Sequence, residues 1–316
     1  MGTTTALPVT HSSLRPTAAR TTTAMSSTSV IFSATGQIQT FIAPATGSYV
    51  IEASGAQGGA GGGPGGKGAR VRGTFQLEAG ESLKIVVGRQ GTAGTTPHQP
   101  AGGGGGGSFV WKGTAAWPLP DKPLLAAGGG GGGGGGDGVV TLDGGRGAVP
   151  GGRNGRGGAS DAGNFRYSGG GGTGWRSGGE VGSTPTLCFG GSQWQGGTGA
   201  DYCCNQGGSG GFGGGGGGSF LGHGSGGGGG FSGGGGGTQA GPDAGGGGSF
   251  NAGKNQTNLP GIQIGDGCVT ITPVPEPNAI FRPRTSSLAS ANPFPSEPSI
   301  EPTRPTAVDL QFAGFR

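Results

Sequence analysis

The sequence predicts a mainly β protein: a jelly-roll β-sandwich fused to a bundle of polyglycine-II helices, with disordered segments at both ends. Three observations carry this. Short β-branched and aromatic runs bounded by Gly or Pro recur from Val30 onward. Contiguous glycine runs follow them, and glycine supplies 88 of the 316 residues, against a usual share of roughly 7%. No stretch shows the 3.6-residue apolar period of an amphipathic helix.

In chain order, residues 1–29 are rich in Ser, Thr, Ala and Arg, and no acidic residue precedes Glu52. This stretch lacks the apolar core of a secretory signal and is read as a disordered leader or targeting segment. Strands are expected over residues 37–42, 48–53, 69–77, 83–87, 108–111 and 269–272, each short, apolar and closed by turn residues. Strands separated in this way form antiparallel sandwiches. The glycine-rich domain is bounded at 30–274, and a Pro- and Ser-rich disordered tail follows at 275–316.

The glycine runs are 102–107, 128–136, 169–172, 213–218, 226–230, 233–237 and 245–248. As flexible linkers they would be random coil. As polyglycine helices they would turn once every three residues. A single such helix has no internal hydrogen bonds, and ordering glycine is costly at about 1–2 kcal/mol per residue. Only side-by-side packing, with N–H and C=O paired between helices, offsets that cost. Aromatic and apolar residues at the ends of the runs (Phe109, Phe212, Phe220, Phe231 and Phe250) favour the packed bundle, because linkers rarely carry such anchors.

Composition excludes much else. Apolar residues make up 30% and the net charge is +4, too mild to require an acidic partner. No apolar run is long enough for a transmembrane segment. The segment Gly61 to Gly68 approaches a phosphate-binding loop, but Gly68 stands where Ser or Thr is needed and a strand is expected next. His11, His98 and His223 are scattered. No catalytic constellation, metal site or cofactor is predicted, and the protein is read as a non-enzyme.

Cys188, Cys203, Cys204 and Cys268 match no zinc spacing. They are candidate disulfide residues in an oxidising compartment, with three connectivities open, or else reduced thiols. Asn255-Gln256-Thr257 is a glycosylation sequon. Phe165, Tyr167, Trp175, Trp194 and Tyr202 are candidate partner-binding anchors, since interface energy concentrates in aromatics; the alternative is packing against the bundle. Arg146, Arg153 and Arg156 lie in an Arg–Gly stretch of the kind that contacts RNA, although most glycine runs carry no arginine and nucleic acid is disfavoured.

Phe75 to Gly91, the glycine run ending in Ser108-Phe109-Val110-Trp111-Lys112, and Pro123 to Ala127 followed by nine glycines together resemble a known family. So do Gly211-Phe212 before six glycines and Gly265 to Ile271. The family is that of glycine-rich domains found in the extracellular regions of anaplastic lymphoma kinase and leukocyte tyrosine kinase receptors. The resemblance implies a tumour-necrosis-factor-like sandwich fused to polyglycine helices, located outside the cell or at its surface and binding a protein ligand or surface receptor. It does not extend to catalysis: the chain has no kinase lysine strand, H-R-D or D-F-G motif. The expected function is a non-catalytic recognition module. The alternatives are a self-associating structural or coat protein and an Arg–Gly RNA-binding protein.

Overall fold

The structure, a computed structural model, describes residues 28–95, 100–113, 119–161, 167–181, 191, 194–196, 207–219, 223–239, 241 and 243–275. All of these belong to one unit, Met1–Pro277. The expected leader and tail lie outside the described residues apart from Thr28, Ser29 and Pro275.

Ten strands form two antiparallel five-stranded sheets. The first sheet runs β1 (Val30–Ser33), β10 (Cys268–Pro273), β3 (Gly47–Ser54), β4 (Gly68–Leu77), β9 (Lys254–Gln263). The second runs β2 (Gln39–Ile42), β5 (Ser82–Val86), β6 (Ser108–Lys112), β7 (Leu125–Ala127), β8 (Phe250–Asn251). No helix occurs among the described residues, and hence none long and apolar enough to cross a membrane.

Alternation sets the core. In β3, Tyr49, Ile51 and Ala53 point inward, opposite Phe75 and Val71 of β4 and beside Ile271 and Val269 of β10. The buried Tyr49 hydroxyl donates to Ala45 O at 2.7 Å, which removes the cost of an unpaired buried polar group. Facing them from the second sheet are Ile85, Val110 and Leu125, which lie in register across β5, β6 and β7. Each such side chain contributes about 1.5–3 kcal/mol by burial.

The second sheet is buried on its other face as well. Val86, Phe109 and Ala126, again in register, point away from the sandwich core into a second apolar cluster with Trp111, Trp175 and Phe231. This explains why β6 and β7 read as unbroken apolar runs without polar alternation.

The glycine runs occupy connections between strands. Residues 55–67 join β3 to β4, 87–107 join β5 to β6, and 128–249 join β7 to β8. They leave the sandwich at one end, where Ser108 Oγ donates to Ser54 O and accepts from Gly88 N, and where Ala69 N donates to Gly128 O.

Beyond that end, the runs are bonded to one another with a period of three. In 226–231, Gly226 and Gly229 donate to Gly102 and Gly105. Gly227 and Gly230 donate to Gly170 and Thr173, and Gly228 and Phe231 to Gly245 and Gly248, all at 2.8 to 3.1 Å. The run 128–136 repeats the pattern: Gly129 and Gly132 donate to Gly229 and Gly226, and Gly130 and Gly133 to Ala56 and Gly59. Each run is thus walled by several others. A Cβ added at Gly132 would lie 2.2 Å from Gly102 O, so only glycine permits the approach.

Serines close the runs. Ser249 Oγ accepts from Gly128 N and donates to Val139 O, and Ser232 Oγ accepts from Gly155 N. Each hydroxyl satisfies backbone groups where the array gives way to loop or sheet.

Candidate functional site

Side chains cannot project from the interior of such an array, so they gather on the segments that link the runs. One cleft, of about 1080 Å³, is lined by residues from several of these segments. Lys122 comes from the approach to β7, Leu142 from the loop after the 128–136 run, and Arg153 and Arg156 from the Arg–Gly stretch. Arg176 and Glu180 follow the 169–172 run, and Phe231 and Phe250 stand at run ends.

The Arg–Gly stretch is held by its backbone. Arg156 N donates to Arg153 O at 3.0 Å around a turn whose central residues, Asn154 and Gly155, have φ of 52° and 83°. Two positive φ values in succession mark a primed turn. Gly152 N donates to Gly233 O, Gly158 N to Gly172 O, and Arg176 N to Gly155 O at 2.7 to 2.8 Å. The turn is therefore fixed on the array while Arg153 and Arg156 stay exposed.

Two of the four cations have carboxylate partners. Arg176 Nη2 pairs with Asp121 Oδ1, and Arg153 Nε stands 3.8 Å from Asp143 Oδ2 with its side chain 82% exposed, a contact of little energetic weight. Lys122 and Arg156 form no ion pair among the described residues. Lys122 Nζ lies 5.8 Å from the centroid of the Phe250 ring, within cation–π range. Phe250 in turn stacks on Phe231 at 5.0 Å.

The predicted site residues are dispersed. Trp175 is 3% exposed, which fits the packing alternative for this residue. Its ring packs on Phe109 and Trp111 at 5.8 and 5.7 Å, and its Nε1 donates to Pro120 O at 2.9 Å. It anchors the array to the outer face of the second sheet. Trp194 is half-buried in the same cluster, stacked on Trp111 at 5.4 Å. Tyr167 is half-buried against His223 at 5.5 Å. Phe165 and Tyr202 lie outside the described residues, as do His11 and His98.

Arg153 and Arg156 share the cleft, whereas Arg146 is exposed and does not line it. Cys268 is a free thiol on β10, 3.9 Å from Thr270 Oγ1; Cys188, Cys203 and Cys204 lie outside the described residues. Asn255 is exposed on the edge strand β9 with φ of 49°. The near-match to a phosphate loop is engaged elsewhere: Gly66 N donates to Gly131 O and Lys67 N to Asp137 Oδ1. Strand β4 follows it where a phosphate site needs a helix N-terminus. Among the described residues, no three His, Cys, Asp or Glu side chains are grouped to hold a metal.

Lys122, Arg176, Glu180 and Leu142 were not predicted. They come from three segments far apart in sequence, and only the packing of the runs brings them together. Phe231 and Phe250 carried a signal, as aromatic residues closing glycine runs.

The fold and cleft define a mainly β protein whose loops, supported on a hydrogen-bonded glycine array, converge on a basic and partly apolar surface. No family model matches the chain, and no curated protein matches its sequence significantly.

Proposed function

We propose that this protein is a non-catalytic recognition module, in which packed polyglycine-II helices act as a rigid mount and the loops between them form the contact surface. The observation that carries this is the three-residue period of the hydrogen bonds between runs, the spacing of a helix with three residues per turn. In this reading the two sheets form a jelly-roll sandwich of the tumour-necrosis-factor type, and the chain is a relative of the glycine-rich receptor domains that it resembles. Its place would then be outside the cell or at its surface, where the exposed Asn255 sequon is open to glycosylation.

A rigid mount matters because binding is weakened by every loop that must be ordered on contact. The Arg153–Arg156 turn is already held by bonds to Ser232 Oγ, Gly233 O and Gly172 O, so its side chains meet a partner with their backbone fixed. An RNA-binding Arg–Gly segment instead works as a flexible chain that folds on contact.

Amide hydrogen exchange across 102–107, 128–136 and 226–230 in the isolated protein tests the proposal. Slow exchange throughout these runs is expected. Exchange at random-coil rates would make the runs linkers and remove the mount.

A further inference from the structure

We propose that the cleft bordered by Lys122, Arg153, Arg156, Arg176, Phe231 and Phe250 binds an acidic peptide segment of a partner protein, one in which carboxylates alternate with apolar side chains. The inference rests on the recognition-module reading and specifies its ligand.

Charge supports the assignment. Lys122 and Arg156 come from different segments and have no carboxylate partner among the described residues. A guanidinium offers a carboxylate two parallel hydrogen bonds, and Arg156 presents one from a turn whose backbone is already pinned. The Arg153–Asp143 contact is long and exposed, so an incoming carboxylate can compete for Arg153 at small cost.

The same cleft also offers apolar surface. Leu142 is 52% exposed, and the half-buried Phe250, backed by the buried Phe231, forms part of the lining. A purely ionic ligand would leave that surface unused. At about 1080 Å³ the cleft lies at the top of the range for small-molecule pockets, roughly 300–1,000 Å³, and accommodates several side chains of an extended chain.

Nucleic acid fits less well. Asp121, Asp143 and Glu180 are interleaved with the four cations, leaving a net charge of +1 (four positive less three negative) to attract a polyphosphate. The Phe250 ring is already engaged by Phe231 and by the Lys122 ammonium, so it is a poor platform for a base. Spaced carboxylates can settle beside individual cations, whereas a continuous phosphate backbone must pass the acidic ones.

The test uses the full chain and fluorescence anisotropy. The probes are a labelled peptide alternating glutamate with leucine and phenylalanine, the same peptide with glutamine for glutamate, and a polyuridine oligonucleotide. The glutamate peptide is expected to bind at least about tenfold more tightly than its glutamine form. The pair Lys122→Gln and Arg156→Gln should weaken it by about tenfold or more, as expected for lost charge pairs at an interface. Arg146→Gln, outside the cleft, should leave it unchanged.

Equal binding of the two peptides, or binding indifferent to the Lys122 and Arg156 substitutions, overturns the proposal. So does an oligonucleotide that binds more tightly than the peptide and is lost with the same substitutions, which would make the cleft a nucleic-acid site. Hydrogen exchange on the same samples separates the two levels. Protected glycine runs without peptide binding reject the ligand and leave the module intact; unprotected runs reject both.

Discussion

The sandwich and the glycine array are held together by opposite means. In the sandwich, backbones stand apart and the space between the sheets is filled by Tyr49, Ile51, Ile85, Val110 and Leu125. In the array the backbones are themselves the core, and the space left by missing side chains is filled by neighbouring chain. The sandwich therefore tolerates losing volume badly, while the array tolerates gaining it badly. The Trp111–Trp175 cluster belongs to both, since it covers the outer face of the second sheet and carries residues that close glycine runs.

This contrast can be broken at graded positions. The largest effect is expected where the two regions meet: Trp175→Ala should cost about 3–5 kcal/mol, the usual range for a large buried aromatic, and should loosen both regions in a thermal or denaturant melt. Within the array, Gly132→Ala places a Cβ 2.2 Å from Gly102 O. It should cost about 3 kcal/mol, at the top of the range for overpacking and well beyond the roughly 1 kcal/mol that separates Gly from Ala in ordinary secondary structure. An unchanged melting temperature would show that this run is not packed.

Removing volume from the sandwich, by Val110→Ala, should cost about 2 kcal/mol, between the smaller and larger aliphatic deletions. The array's own control is Gly62→Ala. No atom lies within 4 Å of its added Cβ, so a change within about 0.5 kcal/mol is expected, as for most surface sites. A large loss at Gly62 would mean that glycine is needed there for something other than packing.

Another small effect concerns charge. Burial raises the pKa of Glu81, but hydrogen bonds from Lys112 Nζ and Glu78 N, with the lysine's charge, outweigh it and hold the carboxyl below its ordinary value. A depressed carboxyl stabilises the folded state above its unfolded pKa, and that contribution is lost as pH falls through the folded one. Glu81→Gln should therefore reduce stability by under about 1 kcal/mol at neutral pH and flatten the acid side of the stability profile below about pH 4.5.

Much of the sandwich was legible because its strands obey local rules. β3, β4, β5, β6 and β10 are β-branched or aromatic runs between turn residues, and the structure places each within a residue or two of its expected bounds. β2 begins at Gln39, two residues later than expected. β9 escaped notice because Pro260 and Gly261 interrupt it and its residues are mostly polar. It is an exposed edge strand with register shifts against β4, where neither apolar alternation nor an unbroken ladder is required. β7 and β8, of three and two residues, are too short to show any period.

The cleft was less legible. Arg153 and Arg156 lie close together in an evident Arg–Gly stretch, but Lys122, Arg176 and Phe250 join them only through contacts between distant runs. Trp175 shows the converse difficulty. A tryptophan among glycines reads equally as an exposed anchor or a buried one, and only the neighbouring Phe109 and Trp111 decide.

The connection of residues 128–249 between β7 and β8 bears on how the chain reaches its folded form. Leu125 and Asn251 are adjacent in the finished sheet, yet a long stretch of chain separates them, and bringing its ends together costs entropy. The hydrogen bonds it makes with the 87–107 connection also join residues far apart in sequence, such as Gly104 with Gly216 and Gly105 with Gly130 and Gly229. Chains dominated by distant contacts fold slowly, because loop closure must precede the interactions that reward it. β5, β6 and β7, whose pairings are comparatively local, can assemble early. β8 is joined to that sheet only across residues 128–249, so its pairing carries the larger loop-closure cost.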